Sequence, residues 1–317
     1  MKNEGLYLSG FADEAADDPA GQIRALKALG WTHLEARSMD GVNIHDMDDR
    51  AFDQACAALE KAGIRINCFG STIANWGVSV DCDFSGLMAT ARRALSRMKR
   101  LKAPLLRIMS FAVLCDEKKR PLPDQKEAER FERLRRICAP FLEAGITPVH
   151  ENCFNYGGMS WEHTLKMLDA VPGLKLVYDT GNPGLTPDFR KPWPYPNQNS
   201  LEAWEHLKAH VVHIHIKDGR RDPQTGGESY FFPGEGDCEL KKILADALAS
   251  GYSGGFTIEP HMASVFHDPS IRSSPQQRFE NFVEYGRRTE ELFRSLGCTV
   301  RGGAVYPVPL SRHTGLP

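Results

Sequence analysis

Apolar positions along this chain fall into two alternating rhythms. Short apolar runs predict strands at Leu6–Phe11, His33–Ala36, Arg65–Phe69, Leu105–Met109, Thr147–Glu151, Lys175–Asp179, Val211–Ile216 and Gly255–Glu259. Between them, apolar residues recur at helical spacing over Gly21–Leu29, Asp49–Ala62, Phe84–Leu101, Glu127–Glu143, Trp161–Leu168, Leu201–His206 and Leu240–Ala249, with a last helix over Gln276–Leu296. Several helices stop at glycine, in KALGW, EKAGI and LEAGI, where a left-handed residue must precede the next strand. Eight strand–helix repeats without a hairpin signal predict parallel units closed into a single (β/α)8 TIM barrel. An open doubly wound sheet would put a glycine-rich phosphate turn after an early strand, whereas Gly10 is followed by the acidic stretch FADEA. No linker is visible, so residues 1–317 are expected to form one domain, with the barrel over about residues 5–296. The Gly/Pro-rich tail, residues 297–317, is expected to wrap the barrel or fray.

Composition adds exclusions. A formal net charge of −2 gives no basic surface for nucleic acid or an anionic membrane. Met1–Asp13 has no basic region followed by an apolar core, and no apolar run approaches the ~20 residues that span a bilayer. A cytoplasmic location is expected. The eight cysteines are scattered without a C-x-x-C pair, which predicts free thiols in a reducing compartment. Cys153 alone draws notice, two residues after a proposed ligand.

The chemistry concentrates at the C-terminal ends of the strands, where barrel active sites lie. The fifth strand closes with Glu151 in PVHENC, the sixth with Asp179 in LVYDTGN, the seventh carries His215 in VVHIHIKD, and the eighth ends at Glu259 in FTIEPH. Three converging carboxylates repel one another unless a cation neutralises them, so these four residues are expected to bind one divalent metal. Three oxygens and one imidazole form a mostly hard set, which favours Mn²⁺, Mg²⁺ or Co²⁺ over structural Zn²⁺. Mn²⁺ is the first choice, with Zn²⁺ retained as a cofactor alternative. By strand alternation His213, His215 and Lys217 share a face, with His213 deeper and Lys217 towards substrate. His150, next to Glu151, should point the other way.

These residues, with HIHIKD and PGEGD (Pro233–Asp237), resemble the xylose isomerase-like TIM-barrel superfamily, in its sugar (phosphate) isomerase/epimerase branch. The resemblance spans roughly Gly5–Leu296. It includes ketose 3-epimerases, inosose dehydratases and endonuclease IV-type repair enzymes. It implies that Glu151 and Glu259 also act as the acid/base pair of a metal-dependent sugar isomerase or epimerase, working through an enediolate. Relatives often carry His three residues after the sixth-strand Asp, where this chain has Asn182; Asn can bind a hydroxyl but cannot move a proton. A lyase or dehydratase using the same enolisation is therefore the alternative, supported by the polar loop HENCFNYGG and with His150 as its candidate base. The remote alternative is a non-catalytic sugar-binding subunit. DNA repair would need more early-strand histidines than His33.

Around the pocket, Glu35, Arg107, Lys217, Asn182 and Trp76 are candidate substrate contacts, with Arg107 read chiefly as an internal ion-pair member. Two long segments, Gly181–Ser200 and Asp218–Asp237, suit lids or specificity walls. Tyr156, Trp193, Tyr195 and Phe231 could add apolar faces, and Arg220 and Arg221 could meet a phosphate, although solvated loop charge is the commoner role. The expected partner is a small sugar or glycoside, and a lid-covered rim admits a homo-oligomer.

Overall fold

The computed structural model describes residues 5–263 and 273–307. Eight strands follow one another around a curled sheet: β1 Leu6–Gly10, β2 His33–Ala36, β3 Arg65–Gly70, β4 Leu105–Ile108, β5 Thr147–Glu151, β6 Lys175–Asp179, β7 Val211–Ile216 and β8 Gly255–Ile258. Every ladder from β2 through β8 and back to β1 is parallel. The fold is a TIM barrel. The helices that return the chain are α1 Pro19–Ala28, α2 Asp49–Ala62, α3 Phe84–Leu101, α4 Glu127–Glu143, α5 Trp161–Ala170, α6 Ser200–Leu207, α7 Leu240–Ala249 and α8 Pro275–Ser295. Their ends follow local chemistry. Asp48 caps α2 through Ala51 N–H, and Gly63 closes it with φ 71°.

The barrel departs from expectation at one seam. β1 and β2 lie side by side without a ladder among the described residues. Instead β9 (Cys298–Arg301) and β10 (Ala304–Pro307) form a hairpin whose second strand pairs antiparallel with β1, Leu6 against Val305 and Tyr7 against Ala304. Gly302 and Gly303, both at positive φ, make the two-residue turn. This much of the tail is ordered against the barrel; residues 308–317 lie outside the described residues. Two further short antiparallel pairs, Ser38–Met39 with Val42–Asn43 and Gly219–Arg221 with Glu228–Tyr230, sit inside βα loops. Their strands are only two or three residues long, too short to show alternation in the sequence.

Strand parity sorts the side chains. On β5, Val149 and Glu151 face the barrel axis while His150 faces the helical layer; on β6, Asp179 faces inward and Tyr178 outward, packed edge-on against Trp204. Inside the barrel, Cys68, Leu105, Val149 and Val177 form an apolar plug. Beside the plug runs a polar layer in which Ser9 Oγ donates to Asn67 Oδ1 at 2.7 Å and Asn67 Nδ2 lies 3.4 Å from His213. The N-terminal mouth opens into a cavity of about 1350 Å³ bounded by Tyr7, His33, Asn67 and Tyr252. The acidic cluster lies at the opposite end. The cluster brings three carboxylates and a histidine into mutual reach inside the barrel.

Candidate metal centre

Register brings the four strand-end residues together. His215 on β7 is paired with Asp179 on one side and Thr257 on the other, and Glu259 follows Thr257 by two residues, just past the end of β8. Glu151 pairs with Val177, one pleat before Asp179. The result is a convergence: Glu151 Oε1, Asp179 Oδ2 and Glu259 Oε2 each lie 3.9 Å from His215 Nδ1. All four ligand atoms fall within 4.8 Å of one another, and all four residues are buried.

The cluster passes a physical test for a cation. His215 Nδ1, Asp179 Oδ2 and Glu259 Oε2 are buried and make no hydrogen bond among the described residues. Lys217 Nζ approaches Asp179 Oδ2 to 3.0 Å and Glu259 Oε2 to 2.8 Å, but off the hydrogen-bond direction, so it neutralises charge without satisfying the acceptors. Such orphaned buried atoms are costly, and a divalent ion would satisfy all of them at once. The donor set fits Mn²⁺ or Mg²⁺.

The outer atoms of each ligand are tied down. Arg107 Nη1 donates to Glu151 Oε2 at 2.9 Å, and Arg37 Nη1 donates to Glu259 Oε1 at 2.9 Å. Asp179 Oδ1 accepts from the backbone N–H groups of Gly181 and Asn182, both at 2.8 Å. Asn152 clamps the Asp179 backbone from both sides, accepting from its N–H at 2.7 Å and donating to its carbonyl at 3.0 Å. His215 Nε2 lies 3.0 Å from Glu35 Oε2, which fixes which nitrogen is left for the cluster. Phe11 packs edge-on to His215 at 5.0 Å and underlies both guanidinium groups, closing the floor against water.

Electrostatics divide the carboxylates. Burial raises the Asp179 carboxyl above its usual range, with Glu259 and Glu151 adding and Lys217 opposing. Burial acts the same way on Glu259, but Lys217, His261, Arg37 and His215 outweigh it and hold that carboxyl well below its ordinary value. For Lys217 burial disfavours charge, yet Asp179, Glu259 and Glu151 keep the ammonium strongly protonated.

Several expected site residues sit elsewhere. Glu35 is not at the rim: it lies beneath His215, fully buried, bonded to both His213 and His215, because β2 faces β7 across the barrel at that depth. Arg107 is buried and paired with Glu151, the internal ion-pair role read for it, and does not stand free for substrate. His150 points out of the barrel, hydrogen-bonded to Ser110 and Asn155 and pressed on Gly157, so it does not face the cluster as a base would. Burial lowers its pKa to about 4, with Asn155 and Glu151 opposing. The polar loop after β5 is structural in the same way: Asn155 donates to the Glu151 carbonyl, and Tyr156 OH donates to Glu127 at 2.6 Å. Cys153 stays a thiol, its pKa raised by burial and then by Glu151.

Asn182 does reach the cluster, donating from Nδ2 to Glu151 Oε1 at 3.2 Å and accepting from Lys217 Nζ at 3.2 Å. Trp76 stands on the loop after β3, 38% exposed, and Trp193 on the loop after β6, 76% exposed. Arg220 is taken by Asp237 on the surface.

Arg37, Phe11, Glu14 and His261 were not foreseen. Arg37 follows Glu35 by two residues and so shares its inward face, the one sequence signal available. Glu14 Oε2 accepts from the His261 backbone N–H at 2.8 Å, and Glu14 Oε1 lies 2.9 Å from His261 Nδ1, which places the imidazole Nε2 3.7 Å from Glu259.

Residues 23–278 match the family described as xylose isomerase-like TIM barrel. Curated proteins include no significant match to this chain. Among solved structures, a xylose isomerase-like TIM barrel protein from Mycobacterium smegmatis in complex with magnesium superposes with TM-score 0.63 at 16% identity, covering 91% of this chain and 97% of that one. D-allulose 3-epimerase from Methylomonas sp. in complex with D-allulose gives TM-score 0.63 at 15% identity, covering 90% and 97%. A probable 3-DHS dehydratase from Bacillus anthracis gives TM-score 0.63 at 12% identity, covering 89% and 97%. Identities this low establish the shared fold.

Proposed function

Because the chain belongs to the xylose isomerase-like TIM-barrel family, we propose that it is a divalent-metal-dependent sugar isomerase or epimerase, moving a proton at a carbon next to a sugar carbonyl through an enediolate. One observation carries this reading. Glu151 and Glu259 flank Asp179 and His215 in strand order, each held at one oxygen by a buried arginine and each turning the other oxygen to the cluster. Two anchored carboxylates on either side of one centre suit removal of a proton from one face of a carbon and its return from the other.

A divalent ion held by Glu151, Asp179, His215 and Glu259, with Mn²⁺ the first choice, would supply Lewis acidity at the carbonyl and a neighbouring hydroxyl. The chain's own groups do the rest. Arg37 and Arg107 keep the two glutamates oriented. Lys217 and Asn182, which already touch, bind substrate hydroxyls, and the aromatic loops bearing Trp76 and Trp193 wall the mouth. The substrate class is a small ketose or keto-glycoside. Among the described residues no helix is long and apolar enough to cross a membrane, and all eight cysteines are free, which supports a reducing, cytoplasmic setting.

The test is elemental analysis of the wild type, Glu151→Gln and Glu259→Gln, followed by incubation with ketoses in D₂O. About one divalent ion per chain, weakened in both variants, together with metal-dependent deuterium uptake beside the carbonyl, is the expected result. A metallated protein that exchanges no such proton in any ketose or keto-glycoside ends the reading.

Elimination is the second reading, favoured by a specific feature: position 182 is a neutral Asn, which cannot return a proton, with the Lys217 ammonium 3.2 Å away to meet a leaving hydroxyl. An unsaturated or deglycosylated product in place of an epimer decides for it. Substrate binding without turnover in the metallated protein would leave only a sugar-binding role.

A further inference from the structure

Glu35, His213 and His215 form a second cluster directly beneath the first. His215 Nε2 lies 3.0 Å and His213 Nε2 2.9 Å from the same oxygen, Glu35 Oε2, and all three side chains are fully buried. The spacing is that of hydrogen bonds, and it leaves no room for an ion between nitrogen and oxygen. A carboxylate can only accept, so a proton sits on Nε2 of His215. Its Nδ1 then carries the lone pair, and that atom is the one 3.9 Å from each of the three carboxylates.

We infer that Glu35 is the positioning residue of the metal centre: by accepting the Nε2 proton of His215, it selects the tautomer whose Nδ1 faces Glu151, Asp179 and Glu259. The inference rests on the metal-site reading above. His213 is its brace. Nε2 of His213 is also 2.8 Å from Thr257 Oγ1. Glu35 is thus held by two histidines of β7, one of them backed by Thr257 of β8. Its own position on β2, opposite β7, gives the contact that no residue near His215 in sequence could make. This assigns to Glu35 a role through His215 and no contact with substrate.

The experiment compares wild type, Glu35→Gln and His213→Asn without any sugar. Mn²⁺ affinity is read by titration calorimetry, and the His215 ring by ¹H–¹⁵N NMR of the Mg²⁺-loaded protein. Glu35→Gln keeps the shape and removes the charge. It is expected to weaken Mn²⁺ roughly 10–100-fold, the usual effect of losing an outer partner of a metal-bound histidine. Its melting temperature without metal should stay near wild type. His213→Asn, which spares the His215 contact, should weaken binding by less than about tenfold. In wild type the ring proton must reside on Nε2.

Unchanged Mn²⁺ affinity in Glu35→Gln, or a proton on Nδ1 of metal-loaded His215, overturns the inference even if the centre binds metal. If Glu35→Gln fails to fold, the wild-type NMR measurement decides alone. Wild type that binds no divalent ion overturns the metal-site reading itself, a distinct failure.

Discussion

Arg37 Nη1 donates to Glu259 Oε1 at 2.9 Å, joining side chains 222 residues apart that are each 4% exposed. The same guanidinium holds Asp13 through Nε at 2.8 Å. Removing one partner of a buried ion pair leaves the other desolvated and uncompensated. Arg37→Met is therefore expected to lose about 3–5 kcal/mol of stability in the metal-free protein. A divalent ion supplies part of the missing positive charge, so Mn²⁺ should raise the melting temperature of the variant more than that of wild type. Thermal denaturation with and without Mn²⁺ checks this. Equal shifts in the two proteins would detach Arg37 from the centre.

Asp179 is the least compensated carboxylate. Burial and its two glutamate neighbours disfavour its charge, and only its Oδ1 is hydrogen-bonded. Asp179→Asn keeps Oδ1 for the Gly181 and Asn182 amides and removes the repulsion. The metal-free variant should match or exceed wild type in thermal stability, while Mn²⁺ affinity falls by at least about a hundredfold, the scale of losing a charged ligand from a buried site. Destabilisation of the metal-free variant by several degrees would contradict the charge argument.

The four strand-end residues were legible because parity and strand order act locally: a residue at the end of an inward-facing run must reach the mouth. His213 lying deeper than His215 followed from the same alternation. Depth across the barrel did not follow. Whether Glu35 on β2 meets substrate or meets His215 depends on the relative height of strands far apart in sequence, which no local pattern encodes. Arg37 was invisible for a related reason: its partners Asp13 and Glu259 come from the loops after β1 and β8. His150 shows the reverse case. Parity said that it faces outward, and the polar loop beside it suggested chemistry; the loop's hydrogen bonds prove to be spent on holding that loop.

Lys217 competes with the ion for the same oxygens, 3.0 Å from Asp179 and 2.8 Å from Glu259. Lys217→Met removes a cation from a cluster of three carboxylates. Mn²⁺ should bind roughly tenfold more tightly, because one unit of opposing positive charge has gone. Turnover should fall by about a hundredfold or more if the ammonium contacts substrate, as the removal of a charged transition-state contact does. Titration calorimetry and a proton-exchange assay separate the two effects. Weaker Mn²⁺ binding in this variant would show that Lys217 supports the ligands and does not compete with the ion.

His150 supplies a test independent of metal and substrate. Burial lowers its pKa to about 4, from an ordinary value of 6.5 in the unfolded chain. Between those values the unfolded state binds a proton that the folded state refuses, so stability falls as pH drops from 6.5 to 4. The span corresponds to about 3 kcal/mol. His150→Gln removes the ring packed against Gly157 and should be the less stable protein at pH 7. It carries no imidazole to protonate, whereas all other titrating groups are common to both proteins. The stability gap between wild type and His150→Gln should therefore narrow by about 3 kcal/mol between pH 7 and pH 4 in urea titrations. A gap constant with pH would mean that His150 takes up its proton in the folded state, and that the pocket formed by Ser110, Asn155 and Gly157 admits an imidazolium.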